Sequence, residues 1–165
     1  MSAEEAGPML SPGFWLHHAA LAWRAQMDAR LRPLGLTPTQ FLVLATTGWL
    51  EHVGGPPTQQ QVADNAGTDR QMTSRVVRVL QDEGLITRHL HESNARSLRL
   101  SLTQEGRTRA RQAIDVAQSL DEQLFGPAAN GLRATLRGIA EFRNQTQRQA
   151  GYPEPSAGPD LPRDG

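Results

Sequence analysis

The chain of 165 residues contains no cysteine, and all 17 of its lysine-plus-arginine residues are arginine. Without cysteine there is no disulfide, no thiolate nucleophile and no thiol-based redox chemistry, and a metal centre would have to come from histidine and carboxylates alone. No apolar run approaches the ~20 residues that span a bilayer, and the N-terminus lacks the basic-then-apolar pattern of a secretory signal. A soluble, cytoplasmic protein without membrane attachment is expected. Gly-x-Ser-x-Gly, Walker and dinucleotide glycine motifs are all missing, so the chain does not read as an enzyme and no cofactor is expected.

A net charge is missing too. The 17 arginines face 17 acids, so total charge says nothing about a polyanionic partner, but its distribution does. Residues 1–57 carry three arginines against four acids and residues 112–165 five against seven, whereas residues 58–111 carry nine against six. Narrowed to residues 70–111 the balance is nine against four. The positive excess is therefore local.

What occupies that basic region is two short helical patterns and a hairpin. Thr58…Gln61 and Thr68…Gln71 both have capping-box spacing, in which a threonine oxygen and a glutamine three residues on satisfy orphan backbone donors. Gly67 suits the turn between the helices, and Gly84 suits a left-handed helix end. In the second helix Met72, Val76, Val79 and Leu80 are expected to form the apolar stripe. Arg70, Gln71, Thr73, Ser74, Arg75 and Arg78 then face outward, over a stretch (residues 70–80) with no acidic residue. Leu85-Ile86-Thr87-Arg88-His89, a polar tip at Glu92–Ser97 and Leu98-Arg99-Leu100-Ser101-Leu102 read as a small hairpin. Two helices with a glycine turn followed by a hairpin form a winged helix-turn-helix, a device for placing one helix in the DNA major groove. With Thr58, the outward set of the second helix makes the candidate DNA contacts. An ordinary solvated helix face is the competing reading; the run without acids favours DNA.

The flanks read as its support. Residues 1–10 are expected to be a flexible N-terminus. Ser11-Pro12 is a helix start, and Leu16, Ala20, Trp23, Met27 and Leu31 form one stripe, with Phe14 and Leu21 beside it. Thr37…Gln40 caps a helix from Phe41 to Leu50 that is apolar on several sides and so expected to be central. His52–Pro57 is expected to be a loop whose last residues pair against the hairpin. Thr103 caps a helix through Leu124 with a seam at Ala110, Ala113, Ile114, Ala117 and Leu120. A last helix, from Asn130 to Ala150, carries Leu132, Leu136, Ile139, Ala140 and Phe142. Residues 152–165, with four prolines and two glycines, are expected to be a disordered tail. The expected fold is mainly α with a small β wing (α+β). Residues 11–151 form one domain, with the winged helix-turn-helix at 37–102 and dimerisation helices at 11–34 and 103–151. Packing of the outer helices on their own chain is the alternative to a dimer. The dimer is preferred because one such module seldom supplies enough affinity or site length.

His17-His18 and His89-x-His91 are the metal candidates, but nothing completes a four-ligand set, so no metal site is expected. Trp23 reads as core. Trp15 lies off the main stripe beside His17 and His18, where an aromatic wall with polar nitrogens is a candidate effector site.

Taken in order, these pieces resemble the MarR (multiple-antibiotic-resistance regulator) family. Pro33–Phe41 with Val43-Leu44 resembles its second helix; Gln61-Val62-Ala63 and Asp69 to Leu80 its helix-turn-helix; Glu83–Arg88 and Leu100–Gly106 its wing. The resemblance covers residues 13–150. It implies a homodimeric regulator, usually a repressor, on double-stranded DNA at a palindromic operator, released by a small-molecule effector such as an aromatic acid or drug-like compound. It also implies a wing-tip arginine in the minor groove, here Arg96. One departure stands out: Asn94-Ala95-Arg96 replaces the family's usual aspartate and two arginines, removing the ion pair that braces the wing and one cation. A helical interaction module of the same fold with weak or lost DNA binding is the rival, and it gives no reason to keep Arg70, Arg75, Arg78 and Arg96.

Overall fold

The computed structural model describes residues 7–91 and 94–149, with side chains described for 7–90 and 97–142. Among the described residues the order is α1 (Pro12–Leu31), α2 (Pro38–Gly54), α3 (Gln59–Ala66), α4 (Arg70–Asp82), β1 (Ile86–His91), β2 (Asn94–Leu102), α5 (Gln104–Phe125) and α6 (Ala129–Gln149). Three short 3₁₀ turns, Pro8–Leu10, Arg32–Leu34 and Gly126–Ala128, join or precede them. None of these helices is long and apolar enough to cross a membrane. The tail expected from 152 onward lies outside the described residues. Pro8–Leu10, within the N-terminal stretch expected to be flexible, forms a turn, and the Trp15 indole N–H donates to the Met9 carbonyl at 2.7 Å.

The helix starts follow from local chemistry. Ser11 accepts from the Phe14 N–H, Thr37 and Thr58 form complete capping boxes with Gln40 and Gln61, and Thr103 accepts from the Gly106 N–H. The third expected box, Thr68…Gln71, does not form. Asp69 caps α4 instead, accepting from the Met72 N–H at 2.8 Å, because a carboxylate one residue closer to the helix competes for the same orphan donors. The loop expected at His52–Pro57 is shorter, since α2 runs on to Gly54. Its last residue does meet the hairpin, through a single bond from Leu100 N–H to the Pro57 carbonyl at 2.8 Å. The hairpin ladder also reaches further than the expected polar tip, with β2 beginning at Asn94 opposite His91. Backbone pairing is indifferent to the polarity of outward side chains.

One apolar cluster holds these elements together. Val43, Leu44 and Leu50 of α2 sit at its centre, against Val62, Val77 and Leu80 of the helix pair, Ile86, Leu100 and Leu102 of the hairpin, Met27 and Leu31 of α1, and Ala110, Ala113 and Leu120 of α5. Thr47 is buried in the same helix without cost, because its hydroxyl donates to the Val43 carbonyl at 2.7 Å. The outer halves of the flanking helices do not reach this core: Leu16, Leu21, Leu136, Ile139 and Phe142 remain exposed.

Where α4 ends, the wing begins and α5 starts, the backbones meet. Gly84 takes φ +71°, which turns the chain so that Leu85 N–H closes onto the Leu80 carbonyl at 2.8 Å. Thr103 N–H donates to the Leu85 carbonyl and the Thr103 hydroxyl to the Gly84 carbonyl. Gly106, in the first turn of α5, lies directly on the Leu85 carbonyl, where a β-carbon would overlap it. Beside this junction Glu51 of α2 accepts from the Leu102 N–H at 3.2 Å and from both terminal nitrogens of Arg107 at 2.9 and 3.4 Å. Burial pushes the Glu51 carboxyl up. Hydrogen bonds from Arg107, Leu102 and Ser101 outweigh that and hold it below its ordinary value.

Two outcomes are expected. Gly106→Ala should lower the unfolding free energy, read by denaturant titration, by the upper end of the ~1–3 kcal/mol that overpacking costs, because the obstructing atom is backbone and cannot rotate away. Glu51→Gln should destabilise the fold at neutral pH by about 1 kcal/mol, a figure reduced for the half-exposed Arg107 partner. A depressed carboxylate contributes above its unfolded-state value and ceases to as pH falls through its folded one. Acid titration of both proteins should therefore bring their stabilities together below the ordinary carboxylate range.

Candidate nucleic-acid interface

The candidate reading helix is α4, and its phase decides which side chains are available. Thr73, Val77 and Leu80 are buried, at spacings of four and three, and Val76 packs partly against the core. The opposite side of a helix with 3.6 residues per turn then carries Gln71, Arg75 and Arg78 on one line, and all three are exposed. Arg70 and the half-buried Ser74 lie on one flank of that line; Met72 and Val79 lie on the other, 45% and 41% exposed.

This corrects the stripe expected from sequence in two places. Thr73 is not an outward contact. Its side chain is fully buried, its hydroxyl bonded to the Asp69 carbonyl and to the Thr68 hydroxyl, both at 2.8 Å. Met72 and Val79 are not core residues. The error has a physical source: a threonine that bonds the carbonyl four residues back satisfies its own polarity and can be buried. A polar-out, apolar-in assignment cannot see this. Arg70, Gln71, Ser74, Arg75 and Arg78 remain on or beside the exposed face. Thr58 sits at the N-cap of α3 with its hydroxyl engaged by the Gln61 N–H at 3.1 Å. For Arg96, the backbone is part of β2, but the side chain lies outside the described residues, as do those of Asn94 and Ala95.

Sequence reasoning passed over the residues that aim the wing. Arg88 donates to Gln59 Oε1 at 3.1 Å, tying β1 to the first turn of α3, and Arg99 donates to the Pro56 carbonyl at 3.4 Å. The position of Arg88 was visible in the alternation Ile86, Arg88, Leu90 opposite Leu102, Leu100, Leu98. It puts Arg88 on the inward face, where an arginine must have a partner.

Among the described residues, concavities lie in the flanking region, two of which bear on the effector question. One of about 980 Å³ runs between α1, α5 and α6, walled by Trp23, Leu124, Phe125, Leu132 and Leu136 with Arg133 and Arg137 among its lining. The Trp23 indole N–H donates to Asp121 there at 3.2 Å. The second, about 590 Å³, is shallow and lies between α1 and the start of α2, with Arg24 and Asp28 in its lining. The expected effector set does not join either. Trp15, 55% exposed, stacks edge-on to Phe14, whose ring centroid is 4.3 Å from that of His18, and His17 lies beside them. All four stand on the open first turns of α1. Among the described residues no group of three or more His, Asp or Glu side chains is placed to hold a metal ion.

Comparison with known proteins agrees with this geometry. Residues 34–97 match the MarR family. The HTH-type transcriptional regulator YdcH of Bacillus subtilis is 32% identical over 123 residues, covering 74% of this chain and 84% of YdcH. Among solved structures, the transcriptional repressor CouR bound to a 23-mer DNA duplex superposes with a TM-score of 0.70 at 27% identity, over 82% of this chain and 96% of CouR. The Mycobacterium tuberculosis MarR family protein Rv2887 in complex with p-aminosalicylic acid gives 0.61 at 27% identity, over 79% and 98%.

The buried Thr73 makes a testable distinction. Thr73→Val should cost about 1 kcal/mol of stability by leaving the Thr68 hydroxyl without its partner. It should leave base preference on any bound duplex unchanged, whereas a groove contact would change it. Thermal melting and duplex selection check the two halves.

Proposed function

The chain belongs to the MarR family of DNA-binding transcriptional regulators, and on that premise we propose that it is a homodimeric repressor which leaves a palindromic operator when a small aromatic acid binds. The observation that carries this is the exposed line Gln71–Arg75–Arg78 on α4, free of acids over residues 70–80, in a chain whose total charge is zero. A protein without net attraction for polyanions that concentrates arginine on one groove-sized helix is built for local rather than general contact with DNA. On this reading Arg70, Gln71, Ser74 and Arg75, in the first two turns, discriminate bases. Arg78, Thr58 and the α3 N-terminus hold phosphates, and Arg96 enters the flanking minor groove.

The dimer is supported by exposed apolar residues on the outer halves of both flanking helices, Leu16 and Leu21 on α1 and Leu136 and Ile139 on α6, of which Leu136 also lines the large concavity. Exposed apolar surface on such helices suits an interaction face, and two-fold pairing would present two copies of α4 to one side of a duplex. For the effector, the concavity of about 980 Å³ fits better than the open cluster of Trp15, His17 and His18. It combines aromatic and aliphatic walls with Arg133 and Arg137, as an aromatic carboxylate requires. The complex of Rv2887 with p-aminosalicylic acid supports the ligand class. A ligand that shifts α5 cannot leave α4 in place, because Gly106 and Thr103 are seated on the Gly84–Leu85 backbone.

The test is operator selection from random duplexes, followed by affinity measurements with aromatic acids added. Arg75→Ala should cost ~1–3 kcal/mol per half-site and relax preference at one base pair. Arg78→Ala should weaken all sequences alike and flatten the salt slope by about one unit per lost contact. Arg96→Ala should lose most on sites with A·T-rich, narrow-grooved flanks. If Arg75→Ala altered only the salt dependence, α4 would not be the reading helix.

A further inference from the structure

We propose that Met72 is a specificity-determining residue that reads the 5-methyl group of a thymine. The proposal rests on α4 being the groove-bound helix. Three observations point to it. Met72 is exposed although the core beneath α4 is closed by Thr73, Val77 and Leu80, none of them more than slightly accessible. Its neighbours on the same flank are apolar as well, Val76 at four residues and Val79 at seven, so the flank offers nothing to hydrogen-bond a phosphate or a polar base edge. That flank is continuous with the line Gln71–Arg75–Arg78, so whatever the arginines approach, Met72 approaches too.

In the major groove the apolar feature that distinguishes one base pair from another is the thymine methyl, and side chains recognise it by apolar contact. Methionine suits that role: it is unbranched and polarisable, and it settles against a small apolar group without a rigid pocket. A lone exposed apolar residue would need no explanation. An apolar flank that directly borders a row of arginines on a reading helix has a physical counterpart on the duplex, and the methyl is it.

The experiment is a cycle in which the same contact is removed from each side. The operator is first selected from random duplexes with the full chain. Each thymine of a half-site is then replaced by deoxyuridine, which deletes the 5-methyl and leaves pairing intact. For the parent protein one thymine per half-site should show roughly a fourfold loss of affinity, the equivalent of the ~0.8 kcal/mol of one buried methyl-sized group. In Met72→Ala and Met72→Gln that loss should vanish, while Met72→Leu should retain it. Because Met72 is exposed, all three variants should fold as the parent does. Deoxyuridine without effect at every thymine overturns the proposal and leaves the reading of α4 intact. A penalty that persists unchanged in Met72→Ala also overturns it. Loss of dimer mass in Met72→Ala assigns the flank to a protein contact instead. Should the parent select no sequence at all, the DNA reading itself fails, and the proposal with it.

Discussion

The contact between Gly106 and the Leu85 carbonyl is the constraint on which the rest of the fold depends. Four segments converge there: the end of α4, the first residue of the wing, the last residue of the wing and the first turn of α5. Two special residues make the approach possible. Gly84 supplies the left-handed turn that redirects the chain out of α4, and Gly106 leaves out the β-carbon that would hold the backbones apart. Thr103 then serves both sides with one hydroxyl, accepting from the Gly106 N–H and donating to the Gly84 carbonyl. Backbone packed on backbone has no rotamers with which to absorb displacement, so the end of α4 and the start of α5 are fixed closely against one another.

The wing is positioned by the same economy of contacts. Its base is buried through Ile86, Leu100 and Leu102. The Leu102 N–H is taken by Glu51, which also receives Arg107. Further out, Arg88 reaches Gln59 on one face and Arg99 reaches Pro56 on the other. Beyond them Leu90 and Leu98 pair in open solvent. The inner contacts brace the base of the hairpin against α2, α3 and α5. Among the described residues, the two arginine tethers join Leu100 N–H on Pro57 and Leu102 N–H on Glu51 in orienting the strands.

A chain without net charge has to place its charge rather than accumulate it. In α4 Thr73 occupies the core side with its hydroxyl satisfied internally, and in that phase Gln71, Arg75 and Arg78 align outward with Met72 and Val79 flanking them. A leucine at 73 and a polar residue at 72 would have made a more conventional amphipathic helix. The observed choice gives the outward face both polar and apolar chemistry.

Much of this was legible in the chain itself. The capping boxes at Thr37 and Thr58, the caps at Ser11 and Thr103, the glycine turns at 67 and 84 and the alternation along the hairpin are local, so sequence determined where elements begin, end and turn. It pointed to the family as well, through the order and spacing of those local signals, and residues 34–97 match the MarR family. Tertiary structure alone decided two things. It set the phase of α4, because Val76, Val77, Val79 and Leu80 allow more than one stripe and the elements packed on that helix, α2, α3 and β1, select among them. And it took Trp15, His17 and His18 out of the two concavities, leaving Trp23, Leu124 and Leu132 as walls. Adjacency in sequence says nothing of which helices α1 will meet, and a cavity is a property of the meeting.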